Sequence, residues 1–286
     1  MSEPIASGAF PLMQGRRGLV MGVANERSIA WGIARTLRAH GADLAFTFQG
    51  DAMKQRVEQL AHQAGARLVL DCDVEHEAAI DAAFDAIRAH WGGLDFVVHA
   101  VAHSSRDELK GRYLDTSLAN FLHTMHVSCY SFTAVMRRAA ALMPRGGAAI
   151  TLSYYGAEKV MPGYNVMGVA KAALEASTRY LAADLGPQGI RVNAVSAGPM
   201  RTLSGAAVGG ARAIYRYSVL AAPLRRGVAL DELGGTALYL LSDLGGAVTG
   251  EIHHVDGGFA ALGMPQNLDE VIAAMGSAAP PETGAG

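Results

Sequence analysis

Short apolar runs alternate along the chain with longer segments whose apolar residues recur every three or four positions. GLVMGV near residue 20, ADLAFTF at 42–48, RLVLDCDV at 67–74 and LDFVVHA at 94–100 are runs of the first kind. GAAITLS at 147–153, IRVNAVS at 190–196 and a last run in EIHHVDGG continue the series. Each is strand-length and apolar at consecutive positions, as strands covered on both faces are. Residues 29–40, 52–64, 76–91, 117–143, 164–185 and 231–243 carry the helical period instead. The alternation predicts about seven parallel strands with helices on both faces. Right-handed crossovers then give a Rossmann-like, doubly wound α/β sheet. No linker or repeat interrupts the pattern, so one domain is expected over 1–263. The Ala/Gly/Pro-rich residues 264–286 read as a flexible tail.

Composition narrows the function classes. Half of the residues are hydrophobic and 17% are charged, which excludes disorder over most of the length. The 24 Lys+Arg against 26 Asp+Glu leave a net charge of −2, so a nucleic-acid partner is not expected. No apolar run is long enough to span a membrane. The first residues lack the basic start of a signal peptide, and the chain reads as cytoplasmic. Cys72 and Cys129 read as reduced, partly buried thiols, and no metal site is expected. The 34 glycines exceed the average share of roughly 7% without a Gly-X-Y period. They direct attention to turns where backbone approaches a ligand.

The ligands of such sheets bind beyond the carboxyl ends of the strands. The first strand ends in Gly22-Val-Ala-Asn-Glu-Arg-Ser28-Ile29-Ala30-Trp31-Gly32. The G-x-G-x-x-G fingerprint is absent. A glycine leaving strand one and a serine opening a helix still make an anion site, with backbone N–H groups facing a pyrophosphate. Ser28 reads equally well as a plain N-cap. Gly32 is expected to let this helix lie close on the sheet. Gln49 ends the second strand, where a ribose-binding acid or a basic residue usually stands, and no arginine follows at once. NADH is therefore expected over NADPH. Asp73 and Val74 follow strand three and are placed to meet an adenine, although Asp73 also fits a turn or helix cap.

Two tyrosine–lysine pairs compete in TLSYYGAEKVMPGYNVMGVAKAALEA (151–176). Tyr155-x3-Lys159 has ordinary short-chain reductase spacing, but Pro162 blocks helix continuation after Lys159. Tyr164-x6-Lys171 spans nearly two helical turns, and Lys171 lies within a continuous amphipathic segment. The same segment holds Tyr154.

SYYGAEKVMPGYNVMGVAKAALEAS, RVNAVSAGPMRTLSG (191–205) and GEIHHVDGGF (250–259) resemble the NADH-dependent enoyl-acyl-carrier-protein reductases. These form a divergent branch of the short-chain dehydrogenase/reductase superfamily. The paired motifs Tyr-x9-Tyr-x6-Lys and Gly-x5-Ser-Ile-Ala-x-Gly carry the resemblance, which runs from about residue 12 to 262. It implies reduction of the trans-2 double bond of enoyl thioesters in type II fatty acid synthesis. Tyr164 would stabilise the enolate, Lys171 would hold the nicotinamide ribose, and Tyr154 would support the acyl chain. Gly22, Ser28, Ile29, Gln49, Asp73, Val74, Val101, Met200, Arg201, Thr202, Leu203 and Ser204 would line the cofactor, with Ser104 beside the substrate. The resemblance also implies a homotetramer and an acyl carrier protein as partner. Arg212, Arg216, Arg225 and Arg226 would greet that acidic partner near the portal.

The chain departs from this pattern in two places. Ala102 and His103 stand where the family usually has glycine and phenylalanine, and His103 reads as a solvated loop residue. Gly209 and Ala211 stand where lysine and phenylalanine are common, in a glycine-rich segment that reads as a mobile lid. A ketoreductase using Tyr155 and Lys159, an enoyl reductase with a different acyl preference, and a non-catalytic NAD sensor are the alternatives.

Overall fold

A computed structural model of the chain describes residues 11–200 and 210–276. Seven strands form one parallel sheet: β1 (Arg17–Met21), β2 (Asp43–Phe48), β3 (Leu68–Asp71), β4 (Phe96–His99), β5 (Gly147–Ser153), β6 (Ile190–Ala197) and β7 (Ile252–Val255). The order across the sheet is β3-β2-β1-β4-β5-β6-β7. The sequence order reverses between β1 and β4, where a crevice opens beyond their carboxyl ends. The periodicity placed each of these strands to within a few residues.

Both faces of the sheet are covered, as the continuous apolar strands require. On one face lie α1 (Ile29–Ala39), α2 (Asp51–Gln63) and α8 (Leu230–Leu241), which bury Trp31, Ile33, Leu60, Leu233 and Leu240. On the other lie α3 (Glu77–Trp91), α5 (Ser131–Ala141) and α6 (Asn165–Leu185), with Phe84, Ile87, Phe132, Val135 and Leu174 in the core. Gly32 serves a different neighbour from the one expected. A Cβ there would stand 2.7 Å from the Leu230 Cβ, and a Cβ at Gly234 would fall on the Thr36 hydroxyl. The two glycines let α1 and α8 approach each other, rather than α1 the sheet.

The long helix read over 117–143 contains a π turn. α4 (Leu118–Met125) runs into a π-helical His126–Tyr130 and then into α5. The wider turn brings the Ser128 hydroxyl to the backbone of His103. It accepts from the His103 N–H at 3.0 Å and donates to the His103 carbonyl at 3.0 Å. No apolar pattern reports such a turn or the distant polar contact it makes.

One further expectation needs correction. The supposed loose tail contains α9 (Leu268–Met275), whose Val271 is buried. Leucine, valine, isoleucine and methionine at helical spacing outweigh the surrounding alanines and glycines. Of the segment read as a lid, the described part runs from Gly210 into α7 (Ala211–Ala221), where the Ser218 hydroxyl donates to the Ile214 carbonyl. Cys72 and Cys129 are both buried. Burial pushes the Cys72 thiol up to about 12, and it raises Cys129 as well.

Candidate active site

A cavity of about 600 Å³ opens at the carboxyl ends of β1, β4, β5 and β6. Its floor begins at Gly22, which holds φ +90°. Only glycine takes that conformation easily, and a Cβ there would fall on the Ala100 carbonyl. The Ser28 hydroxyl does not cap α1. It accepts from the N–H groups of Ala24 (3.0 Å) and Asn25 (2.8 Å) and donates to the Asn25 carbonyl, closing the loop after β1. The first turn of α1 therefore presents Ile29 and Ala30, both in the cavity wall, without a side-chain cap. Uncapped backbone donors at the positive end of a helix suit a pyrophosphate. The residues present thus fit a dinucleotide.

Tyr154, Tyr164 and Lys171 reach the same cavity. Tyr164 sits at the start of α6, with its ring beside Gly156. A Cβ at Gly168 would stand 2.8 Å from the Gly156 carbonyl, so paired glycines let α6 approach the turn that follows β5. Burial, with the nearby Tyr154 and Glu175, pushes the Tyr164 hydroxyl well above the usual phenol range. Burial raises Tyr154 to about 12. Both tyrosines stay protonated at neutral pH, so each hydroxyl has a proton to donate.

The Lys171 ammonium donates to the Leu152 carbonyl at 2.7 Å. Burial lowers it to about 8, opposed by Cys129 and Glu175. One turn further along α6, Glu175 is buried and accepts a hydrogen bond from the Ser153 hydroxyl, and burial raises its carboxyl. Ser153 stands where a ketoreductase serine would be sought for Tyr164, yet its hydroxyl is committed to Glu175. The competing pair does not assemble. Lys159 is exposed, Tyr155 packs edge-on against Phe259 at 5.6 Å, and neither lines the cavity.

Ser104, Val101 and Met200 also line the cavity. Ser104 is buried, accepting from the Thr124 hydroxyl at 2.9 Å. Gln49, Asp73 and Val74 lie outside the wall, at the same edge of the sheet. Gln49 is exposed, Val74 is buried, and Asp73 closes a turn by accepting from the Glu75 N–H at 3.0 Å. Arg201, Thr202, Leu203, Ser204 and Gly209 lie outside the described residues.

His103 is exposed, as a solvated loop residue is expected to be, but it has partners. It lines the cavity, and its Nδ1 lies 2.9 Å from Nε2 of His123. The sequence reading also missed Asn165. This residue holds φ +39° and donates from its amide to the carbonyls of Glu108, Leu109 and Gly111. That fixes the loop whose Leu109 packs against Tyr164. An asparagine at the start of the tyrosine–lysine helix was the available signal, since Asn tolerates the left-handed region.

The family described as Enoyl-(Acyl carrier protein) reductase matches residues 22–260. The chain belongs to this enoyl reductase family. It is 60% identical over 256 residues to Enoyl-[acyl-carrier-protein] reductase [NADH] 1 of Rhizobium meliloti, covering 90% of this chain and 94% of the relative. A Bacillus cereus enoyl-[acyl-carrier-protein] reductase [NADH] is 50% identical, with 88% and 99% covered. Among solved structures, the Anaplasma phagocytophilum enoyl reductase in complex with NAD superimposes with a TM-score of 0.87 at 54% identity, covering 90% and 98% of the two chains.

Proposed function

We propose that the protein reduces the trans-2 double bond of enoyl thioesters carried on acyl carrier protein, using NADH, in type II fatty acid synthesis. The observation that carries this reading is the meeting of Tyr164 and Lys171 with the uncapped start of α1 in one cavity. Bound NADH would supply the hydride that adds to the β-carbon.

The chain's own residues do the rest. The Gly22–Ile29 loop receives the pyrophosphate, and Lys171 holds the nicotinamide ribose. Negative charge develops on the thioester oxygen, and the Tyr164 hydroxyl donates to it. Burial holds the Tyr164 hydroxyl protonated, as a donor to that oxygen must be. Tyr154 shapes the wall beside it. The role of Gln49, Asp73 and Val74 is to meet the adenosine half, and that of Ser104 to border the acyl chain.

The acidic carrier protein would dock at α7. Arg225 and Arg226 are already paired with Glu270 and Glu232, so Arg212 and Arg216, both exposed, are the guanidinium groups on offer. The same reading carries one reductase domain, a homotetramer and a cytoplasmic location. The assay is NADH absorbance with a crotonyl or dodecenoyl thioester. Enoyl-dependent oxidation is expected. Oxidation with 3-ketoacyl thioesters alone would replace this reading with a ketoreductase.

A further inference from the structure

Glu75, His123 and His103 form a continuous hydrogen-bonded chain. Glu75 Oε1 lies 2.9 Å from His123 Nδ1, and His123 Nε2 lies 2.9 Å from His103 Nδ1. The outer end is open to water, since the Glu75 side chain is 34% exposed. The inner end, His103, is part of the cavity wall with Ser104 and Tyr154, and it is itself exposed in the open cavity. The backbone of His103 is gripped on both sides by the Ser128 hydroxyl from the π turn. A π turn inside a helix commonly marks a functional position.

With both histidines neutral, hydrogen-bonding rules fix the resting proton positions. A carboxylate only accepts, so His123 carries its proton on Nδ1 and offers a lone pair at Nε2. His103 must then donate from Nδ1, which leaves its Nε2 bare. No hydrogen bond among the described residues uses that nitrogen.

We propose that Glu75, His123 and His103 conduct a proton from solvent into the substrate cavity, and that His103 Nε2 delivers it to the substrate α-carbon. The inference rests on the enoyl thioester reading above. That reaction needs a proton at the α-carbon as well as a hydride, and on that reading the Tyr164 hydroxyl is engaged with the thioester oxygen.

Loading takes up one proton from solvent: Glu75 is protonated while each imidazole exchanges with water, losing its Nδ1 proton and gaining one at Nε2, so that the carboxyl donates to His123 Nδ1, His123 Nε2–H donates to His103 Nδ1, and His103 Nε2 carries a proton. Hydride addition at the β-carbon leaves an electron pair shared between the α-carbon and the thioester oxygen. That pair forms the new α-C–H bond as the His103 Nε2–H bond breaks. His103 Nδ1 takes the proton of His123 Nε2, His123 Nδ1 takes that of Glu75, and the carboxylate is restored. One solvent proton is consumed, and no oxidant or reductant beyond the hydride is involved. His103 is the catalytic residue in this step; His123 and Glu75 act through it.

The test compares wild type with His103→Phe, His103→Ala, His123→Phe and Glu75→Gln in the full-length protein. Each is read for kcat, KM for a dodecenoyl thioester, the solvent deuterium isotope effect and NADH affinity. Nitrogen NMR of the imidazoles gives a readout apart from turnover. Expected are an Nδ1–H tautomer for His103 and a fall in kcat of about 100-fold for His103→Phe, the low end for general acid catalysis. NADH affinity should stay unchanged, and added imidazole should partly restore His103→Ala. Glu75→Gln and His123→Phe should lower kcat rather than raise KM, with a changed isotope effect. An active wild type with unimpaired kcat in His103→Phe, or an effect on KM alone, overturns the proton path and leaves the enoyl reductase reading standing. A wild type inert toward every enoyl thioester overturns both the reading and the delivery step built on it.

Discussion

Tyr154 meets Tyr164 edge to face, with ring centroids 4.9 Å apart and planes inclined at 76°. The contact orients the Tyr164 ring, and its hydroxyl is the only part that does chemistry. Tyr164→Phe keeps the ring pair and removes the donor. Turnover with an enoyl thioester should fall about 100-fold or more, as on loss of one oxyanion donor. NADH titration should give nearly the wild-type affinity. Equal loss of both would mean that Tyr164 chiefly holds the cofactor.

The ammonium of Lys171 is lowered to about 8 by burial, against an ordinary value of 10.5. Ribose oxygens favour the charged form. Below about 8 the ammonium is already present and NADH affinity should be flat. Above it, binding must take up a proton, and the dissociation constant should rise by up to about tenfold per pH unit. Lys171→Ala should bind weakly at every pH, without this slope. Fluorescence titration of NADH across the alkaline range measures both; a flat wild-type curve would remove Lys171 from the ribose.

Gly234 faces Thr36 with no room for a Cβ. Gly234→Ala should lower unfolding stability by about 1–3 kcal/mol through overpacking of the α1–α8 seam. Adding Thr36→Ala should recover part of the loss. Urea unfolding of the two variants decides it, and strictly additive losses would place the strain elsewhere.

His99 is fully buried, with Nδ1 at 3.1 Å from the Thr151 hydroxyl and Nε2 at 2.9 Å from the Ser131 hydroxyl. Burial, with help from Lys171, pushes it from 6.5 down to about 3. The unfolded chain binds this proton more readily, so stability should fall as the pH drops from 6.5 toward 3. The slope from this one group is about 1.4 kcal/mol per pH unit. Above 6.5 it contributes no slope. A His99→Asn variant, compared with wild type by urea midpoints at several pH values, should show a shallower acid decline.

The order of elements was legible because the core is layered. Strands buried on both faces leave continuous apolar runs, and the helices leave a 3.6-residue period. Lys171 was legible through Pro162, which shuts the competing Lys159 out of a helix. What escaped were contacts between residues far apart in sequence. The grip of Ser128 on His103 needs the π turn, the seating of Tyr164 needs Gly156 and Gly168 to face each other, and the pairing of Gly32 with Leu230 spans most of the chain. Asn165 carries a local signal, yet the three carbonyls it holds come from a loop more than fifty residues earlier.

Both cysteines are hidden from solvent, Cys72 after β3 and Cys129 in the π turn against Ser177. They lie on different parts of one packed face and share a reluctance to form thiolate. The folded protein should accordingly ignore an alkylating reagent, and any modification would date an opening event. Which sulfur reacts first would tell whether the molecule loosens at the outer border of its sheet or along the helix beneath its binding cleft. The two thiols are thus a built-in pair of clocks for local breathing, set without adding a probe.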